Sequence, residues 1–370
     1  MAYTNIDDSS AYFQTALYSG TGATRKTVTN DGNSNLQPDL FWFKRRDSAA
    51  AHVIADTNRG ANVAGPVGYT IAANSNSTAT DVAEGKGIMT ITSNGFTVEE
   101  QVHAGGNVNT GSMVCWQWKC NGGTEQATVS ESGNNPGHTR QTNVTAGLSI
   151  IVYTGTGAVG TIAHGLGKAP EVLIVKNGSV AVDWAVYHKD MTDAGYTLSL
   201  NTTDQQLDSG TNRWNHTAPT SSVVHIGTGQ QTNQDAKSFL MYAFTSIQGY
   251  SKFGTYEGTG NANGPFVATG FKPAFVMVKN IDNGGYNWAI MDNTRTPTNA
   301  NGTYEWLWPD ITAAEFTDGD SGINMEIDFL SNGFKIRTAR AELNLASTFV
   351  YMAFAENPFV TSTGVPATAR

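Results

Sequence analysis

Tyr153-Thr154-Gly155-Thr156-Gly157, followed by Pro170-Glu171-Val172-Leu173-Ile174-Val175-Lys176, is the pair of blocks on which the fold turns, because both recur twice more. The first, Y-x-G-T-G, also stands at Tyr18 to Gly22 and Tyr256 to Gly260. The second, a proline, a spacer, four apolar residues and a lysine, also stands at Pro38 to Lys44 and Pro273 to Lys279, at offsets of 20, 17 and 17 from the tyrosine. Further on, Trp184-Ala185-Val186-Tyr187 parallels Trp288-Ala289-Ile290-Met291, and the first copy keeps the strand as His52-Val53-Ile54-Ala55. The first and third copies share D-x-x-R (Asp56 to Arg59, Asp292 to Arg295) and S-N-G-F (Ser93 to Phe96, Ser331 to Phe334). Each copy closes on an apolar, aromatic strand: Val114 to Trp118, Phe239 to Phe244 and Phe349 to Phe354.

The step of 103 residues from Tyr153 to Tyr256 is too long for a solenoid unit. Each copy therefore reads as a domain. Short runs of Val, Ile, Phe, Tyr and Thr between Gly, Asn, Asp and Ser clusters mark antiparallel strands and hairpins, with Asn-Gly supplying positive φ in the S-N-G-F turns. The 46 Thr, 32 Asn and 40 Gly make up nearly a third of the 370 residues, a composition of strands and turns. The expected fold is all-β, three tandem antiparallel β-sandwich domains of jelly-roll type. They cover residues 1–121, 148–250 and 251–359, with a polar linker or arm at 122–147 and an extended tail at 360–370. The short junction from Ile247 to Phe253 predicts that the second and third copies form a rigid pair.

Charged residues make up 14% of the chain, the net charge is −9, and Lys44-Arg45-Arg46 is its one basic cluster, which argues against nucleic acid as a partner. No apolar stretch approaches the roughly 18 residues of a membrane-spanning helix, and no basic-then-apolar signal follows Met1, so neither membrane insertion nor Sec export is expected. Cys115 and Cys120 are five apart on one strand and point to opposite faces, predicting two free thiols. The seven histidines lack metal-ligand spacing, and neither metal nor cofactor is expected.

Glu326-Ile327-Asp328 resembles the strand motif of laminarinase-type β-glucanases, but the position of the third carboxylate is Ser331, and a retaining mechanism needs an acid/base opposite its nucleophile. The acidic turn from Asp318 to Gly322 offers oxygen ligands to calcium but lacks the remaining EF-hand positions, so a plain acidic turn is the simpler reading. Tyr304, Trp306 and Trp308 share one face of an extended segment with Leu307 on the other. Their rings suit a core, a subunit interface or a glycan platform. Trp214, in Arg213-Trp214-Asn215-His216, carries the same ambiguity.

Taken together, the opening Ala2 to Asp7 through Tyr18 to Gly22, the P-x-apolar-Lys strands, the junction from Gly249 to Gly254 and the ending Phe354 to Phe359 resemble the concanavalin A-like, lectin/glucanase-type repeat proteins among structural proteins of tailed, particularly marine, bacteriophages. That resemblance implies a non-enzymatic virion component assembled in the host cytoplasm, often labelled tail fibre. Other virion proteins would be its partners, with host surface glycan a further one, and a homotrimer is favoured by analogy with fibres and capsid axes. The alternative is a capsid decoration protein that lashes itself to the shell with the 122–147 arm or the tail after Phe359. A first repeat beginning so close to Met1 leaves little room for a fibre's attachment region and keeps that alternative open. A glucanase-like glycan hydrolase is a minor third reading.

Overall fold

The computed structural model describes residues 3–59, 69–78, 80–81, 88–99, 107–122, 124, 126–297, 299, 304–317 and 324–366. The chain is all-β and antiparallel, with a few short helical turns among the described residues. The three copies share one sheet plan. Strands Phe13–Ser19, Ser112–Trp118, Leu40–Arg45 and Val53–Asp56 lie side by side in that order. The same order runs through Leu148–Thr154, Ser238–Phe244, Val172–Asn177 and Ala185–His188, and again through Ser251–Glu257, Thr348–Pro358, Phe271–Asn280 and Ala289–Asp292. The closing aromatic strand thus sits between the Y-x-G-T-G strand and the P-x-apolar-Lys strand of its own copy. Smaller sheets cover one face of each large sheet, as Arg25–Thr29 with Gly95–Glu99 and Ile88–Thr92 do in the first copy.

The apolar runs are unbroken because the large sheets are buried on both faces. In the first copy Phe41, Phe43, Met113 and Cys115 face the small sheet, while Leu40, Trp42, Val114, Trp116 and Trp118 belong to a second core. The third copy divides likewise, Val276, Val278, Tyr351 and Ala353 inward and Phe275, Met277, Met352 and Phe354 outward. These outward faces meet one another and the second copy's sheet. An apolar void of about 20 Å³ is lined by Trp42, Ile174 and Met277, one from each copy at the same position of the P-x-apolar-Lys strand. The copies are therefore not independent tandem domains. Packing at this common core uses the period-two alternation that would otherwise leave one face of an antiparallel sheet in water.

Other expectations change with it. Residues 122–147 are no free arm: Ala127–Val129 and His138–Asn143 add two strands to the edge of the second large sheet, pairing through to Leu148–Thr154. Of the tail, residues 360–366 fold back through a Val360–Pro366 bridge, and Ser362 bonds Asp7 through its N–H at 2.6 Å and through its hydroxyl. Near the other end, the Tyr3 hydroxyl donates to the Gly270 carbonyl at 2.6 Å, so the first and last described segments are both tied to the body. In the S-N-G-F hairpins the two loop residues are Ser93-Asn94 and Ser331-Asn332, since Thr92 pairs Gly95 and Leu330 pairs Gly333. The glycine is the first strand residue, where a Cβ would meet Val28 O at 2.1 Å or Val267 O at 2.1 Å; close strand approach selects it in both hairpins, joined at Gly95 by a φ of 124°. Cys115 and Cys120 are free and buried in different cores, as their spacing predicts.

Candidate functional site

The repeated motifs are spent on holding the chain together. In Y-x-G-T-G the threonine N–H donates to the side chain of an asparagine that precedes the closing strand: Thr21 to Asn107, Thr156 to Asn233 and Thr259 to Asn344, at 2.7 to 2.9 Å. The first glycine lies against the backbone there, with a Cβ at Gly20, Gly155 or Gly258 falling 1.9 to 2.3 Å from a carbonyl oxygen. The second glycine has φ of 65 to 68°. The tyrosine hydroxyls of Tyr153 and Tyr256 cap the carbonyls of Thr232 and Leu343. The three asparagines were not singled out in the sequence; their common place four or five residues ahead of the closing strand is the signal that could have found them.

The remaining motif residues build three junctions in cyclic order. Between the first copy and the third, Trp116 Nε1 donates to Asp292 Oδ2 at 3.0 Å, and Lys44 Nζ donates to the Thr312 carbonyl at 3.2 Å. Between the second and the first, the Tyr242 hydroxyl donates to Asp56 Oδ2 at 2.8 Å, Lys176 Nζ to the Asn76 carbonyl at 3.2 Å and Trp184 Nε1 to the Ala72 carbonyl at 3.0 Å. Between the third and the second, Trp288 Nε1 donates to the Ser199 carbonyl at 3.0 Å. One copy's surface thus meets a different surface of the next, and three such contacts close a ring within one chain. Burial pushes the Lys44, Lys176 and Lys279 ammonium groups down to about 8. Both D-x-x-R pairs are ion pairs, Arg59 Nε to Asp56 at 2.6 Å and Arg295 Nε to Asp292 at 2.5 Å, as the repeated turn suggests.

In the second copy, His188 and Met191 stand where D-x-x-R would be. His188 lines a small void with Met352, the counterpart of Trp116 and Tyr242. Its Nδ1 accepts the Asp190 N–H at 3.2 Å, and burial drives the imidazole down to about 4 against the opposing pull of Asp190.

The candidate contact aromatics lie inside. Trp306, Trp214 and Tyr304 are 0%, 1% and 4% exposed, Trp308 is partly buried, and Leu307 faces the common core as the alternation predicts. Trp306 and Trp308 enclose Phe316, with ring centroids 5.7 and 4.8 Å away. Trp214 meets Tyr187 edge-on at 5.9 Å. These burials favour the core reading over a glycan platform. Asp328 accepts from the Tyr304 hydroxyl at 2.9 Å and lies 3.5 Å from Arg337, while Glu326 precedes the strand Ile327–Leu330 instead of standing on it. The turn from Asp318 to Gly322 lies outside the described residues. Among the described residues there is no cluster of three or more metal-ligating side chains, and no helix is long and apolar enough to cross a membrane.

The surface depressions sit at the junctions. One of about 370 Å³ lies where the hairpin of Tyr196–Thr197 and Leu207–Asp208 meets Gly284 of the third copy. Arg213, Asp204, Ser199 and the exposed Leu207 line it. The sequence drew attention to the tryptophan of Arg213-Trp214 and not to the arginine before it.

No curated protein and no solved structure matches this chain. A domain of unknown function, DUF7483, matches residues 8–358 and so spans all three copies as one unit, in keeping with their common core. The chain belongs to the DUF7483 family.

Proposed function

We propose that this protein is a non-enzymatic structural component on the exterior of a tailed-bacteriophage virion, of tail-fibre or receptor-binding type, contacting host surface glycan. The observation that supports this reading is the use made of the repeated residues. Tyr153 and Tyr256, the motif threonines, Lys44 and Lys176, the Asp/Arg pairs and Trp288 are committed to loop closure and to the three junctions, which ties the described residues of the three copies into one body. A body whose repeated residues are spent on its own cohesion suits assembly and presentation. The phage assignment itself rests on the sequence resemblance. The decoration alternative loses its expected lashing segments, because 122–147 is built into a sheet and 360–366 is tied to Asp7. The favoured trimer is proposed for copies of the whole chain, each of which already carries three copies of the unit.

Copy number per virion, by quantitative mass spectrometry of purified particles, tests the reading. Tens of copies or fewer support a fibre or receptor-binding role. Hundreds would return the protein to the capsid surface, and absence from the particle would overturn the virion assignment. Turnover of β-glucan abolished by Glu326→Gln would overturn the non-enzymatic part.

A further inference from the structure

Among the described residues the Arg213 guanidinium makes neither a hydrogen bond nor an ion pair. Arg45, Arg46, Arg59, Arg295, Arg337 and Arg340 are all paired with carboxylates, and Arg140 donates to the Ala163 carbonyl. Arg213 is not free for want of order. Its carbonyl accepts from the Gly227 N–H at 2.8 Å and the Thr232 hydroxyl at 3.1 Å, and the carbonyl before it, Asn212, accepts from Gly229 at 2.7 Å. On the other side Trp214 is buried, and Asn215 and His216 follow with φ of 50° and 49°, a left-handed pair that costs conformational energy and fixes the loop. The backbone is pinned on both sides while the cation it carries has its Nε buried without a partner. Asp183, the carboxylate that acts on it electrostatically, is held by Asn201 at 2.7 Å and is not within ion-pair distance.

The guanidinium lines the junction cleft of about 370 Å³, and the other walls say what would fill it. Asp204 is exposed there, with no hydrogen bond to its carboxylate among the described residues, and offers acceptors for hydroxyl groups. Leu207, 61% exposed, offers an apolar surface at the same cleft. The wall from the third copy is fixed to the second: Gln205 Oε1 accepts from the Gly284 N–H at 3.1 Å, and the Thr203 carbonyl accepts from Gly285 at 2.9 Å. One guanidinium balances a singly charged carboxylate in fork geometry. A phosphate dianion would sit beside Asp204 with half its charge uncompensated. We propose that this cleft binds an acidic sugar, its carboxylate on Arg213, its hydroxyls on Asp204 and its C–H face on Leu207. The inference rests on the glycan-contact part of the reading above and gives it a place other than the buried tryptophans.

Saturation-transfer NMR on the full chain tests it, with glucuronate, N-acetylneuraminate, glucose and inorganic phosphate as separate probes. Transfer to one or both acids and not to glucose is expected, weakened about tenfold or more in Arg213→Gln, with a thermal midpoint close to the parent's because the side chain has no partner to lose. Which acid binds distinguishes the uronate source from the sialate source. Silence with both acids, equal transfer to glucose, unchanged transfer in Arg213→Gln, or full competition by phosphate would each overturn the proposal. Such a failure leaves the virion assignment standing, and sugar binding by a protein absent from particles would overturn that assignment alone.

Discussion

The hydroxyl of Tyr242, in the second copy, donates to Asp56 of the first, which Arg59 also grips from its own copy. The same triangle stands one junction away as Trp116, Asp292 and Arg295, with the Arg295 guanidinium 5.4 Å from the Trp116 ring centroid. Two side chains of different shape reach equivalent carboxylates from equivalent strand positions. Tyr242→Phe should therefore cost about 1.5–3 kcal/mol, the range for a hydrogen bond to a buried charge. Chemical denaturation measures it, and a loss below about 0.5 kcal/mol would show the bond to be dispensable.

Single copies should not survive alone. A fragment of residues 126–250, which keeps the two added edge strands, exposes Ile174, Tyr242 and Phe244, which in the whole chain line the common core. Expression of that fragment should give aggregate or a partly ordered species, and calorimetry of the whole chain should give one cooperative transition. A soluble fragment with sharp amide dispersion would contradict this.

As pH falls, the buried histidines should weigh against the fold. His52, His138, His164 and His188 are all depressed, chiefly by burial, His188 to about 4. With folded values below the ordinary 6.5, the unfolded chain binds more protons at these histidines from that pH down to the folded values, so their contribution to stability falls as pH falls from about 6.5 toward 4, against an opposing gain from Asp310, whose carboxyl burial raises to about 6. His188→Gln should flatten part of that slope in a series of thermal midpoints, and an unaltered slope would remove His188 from the account.

The buried lysines act on the alkaline side with the same sign. Their folded values of about 8 lie below the ordinary 10.5, so the cost of burying each charge is present below about 8 and is relieved as pH rises toward 10.5. The stability of the parent relative to Lys176→Met should rise across that window. A difference that stays constant from pH 7 to 10 would mean that Lys176 is ordinary in the fold.

The asparagine keystones can be removed one at a time. Asn233 takes the Thr156 N–H and donates to the Ala158 and Gly227 carbonyls, so Asn233→Ala orphans three buried or half-buried groups. A loss of about 2–4 kcal/mol is expected, more than a surface asparagine could give.

Much of this was legible. The three sets of blocks, the strands, the opposite faces of Cys115 and Cys120, and the alternation at Leu307 all follow from local periodicity. The common core was not, although Phe41-Trp42-Phe43 held the clue: three consecutive large apolar residues cannot all face one side of a strand, so both faces must be covered. The 122–147 stretch misled because a strand on a sheet edge needs backbone pairing more than apolar side chains, and Thr and Asn supply it at low hydrophobicity. Tyr304 and Trp306 misled in the other direction, since an aromatic between turn residues reads the same whether its ring fills a core or meets a partner. Arg213 was hidden because an unpaired charge is a property of three-dimensional surroundings and leaves no mark in spacing.

Three identical subunits arranged in this way would have to accept every substitution at three places. One continuous chain does not. His188 and Met191 break the Asp/Arg pattern at one junction while Asp56 and Asp292 keep it at the other two, and Arg213 stands beside one junction with no demand on its counterparts. Covalent fusion thus frees a threefold plan from threefold identity, so two junctions can be given to cohesion while the third is free to specialise.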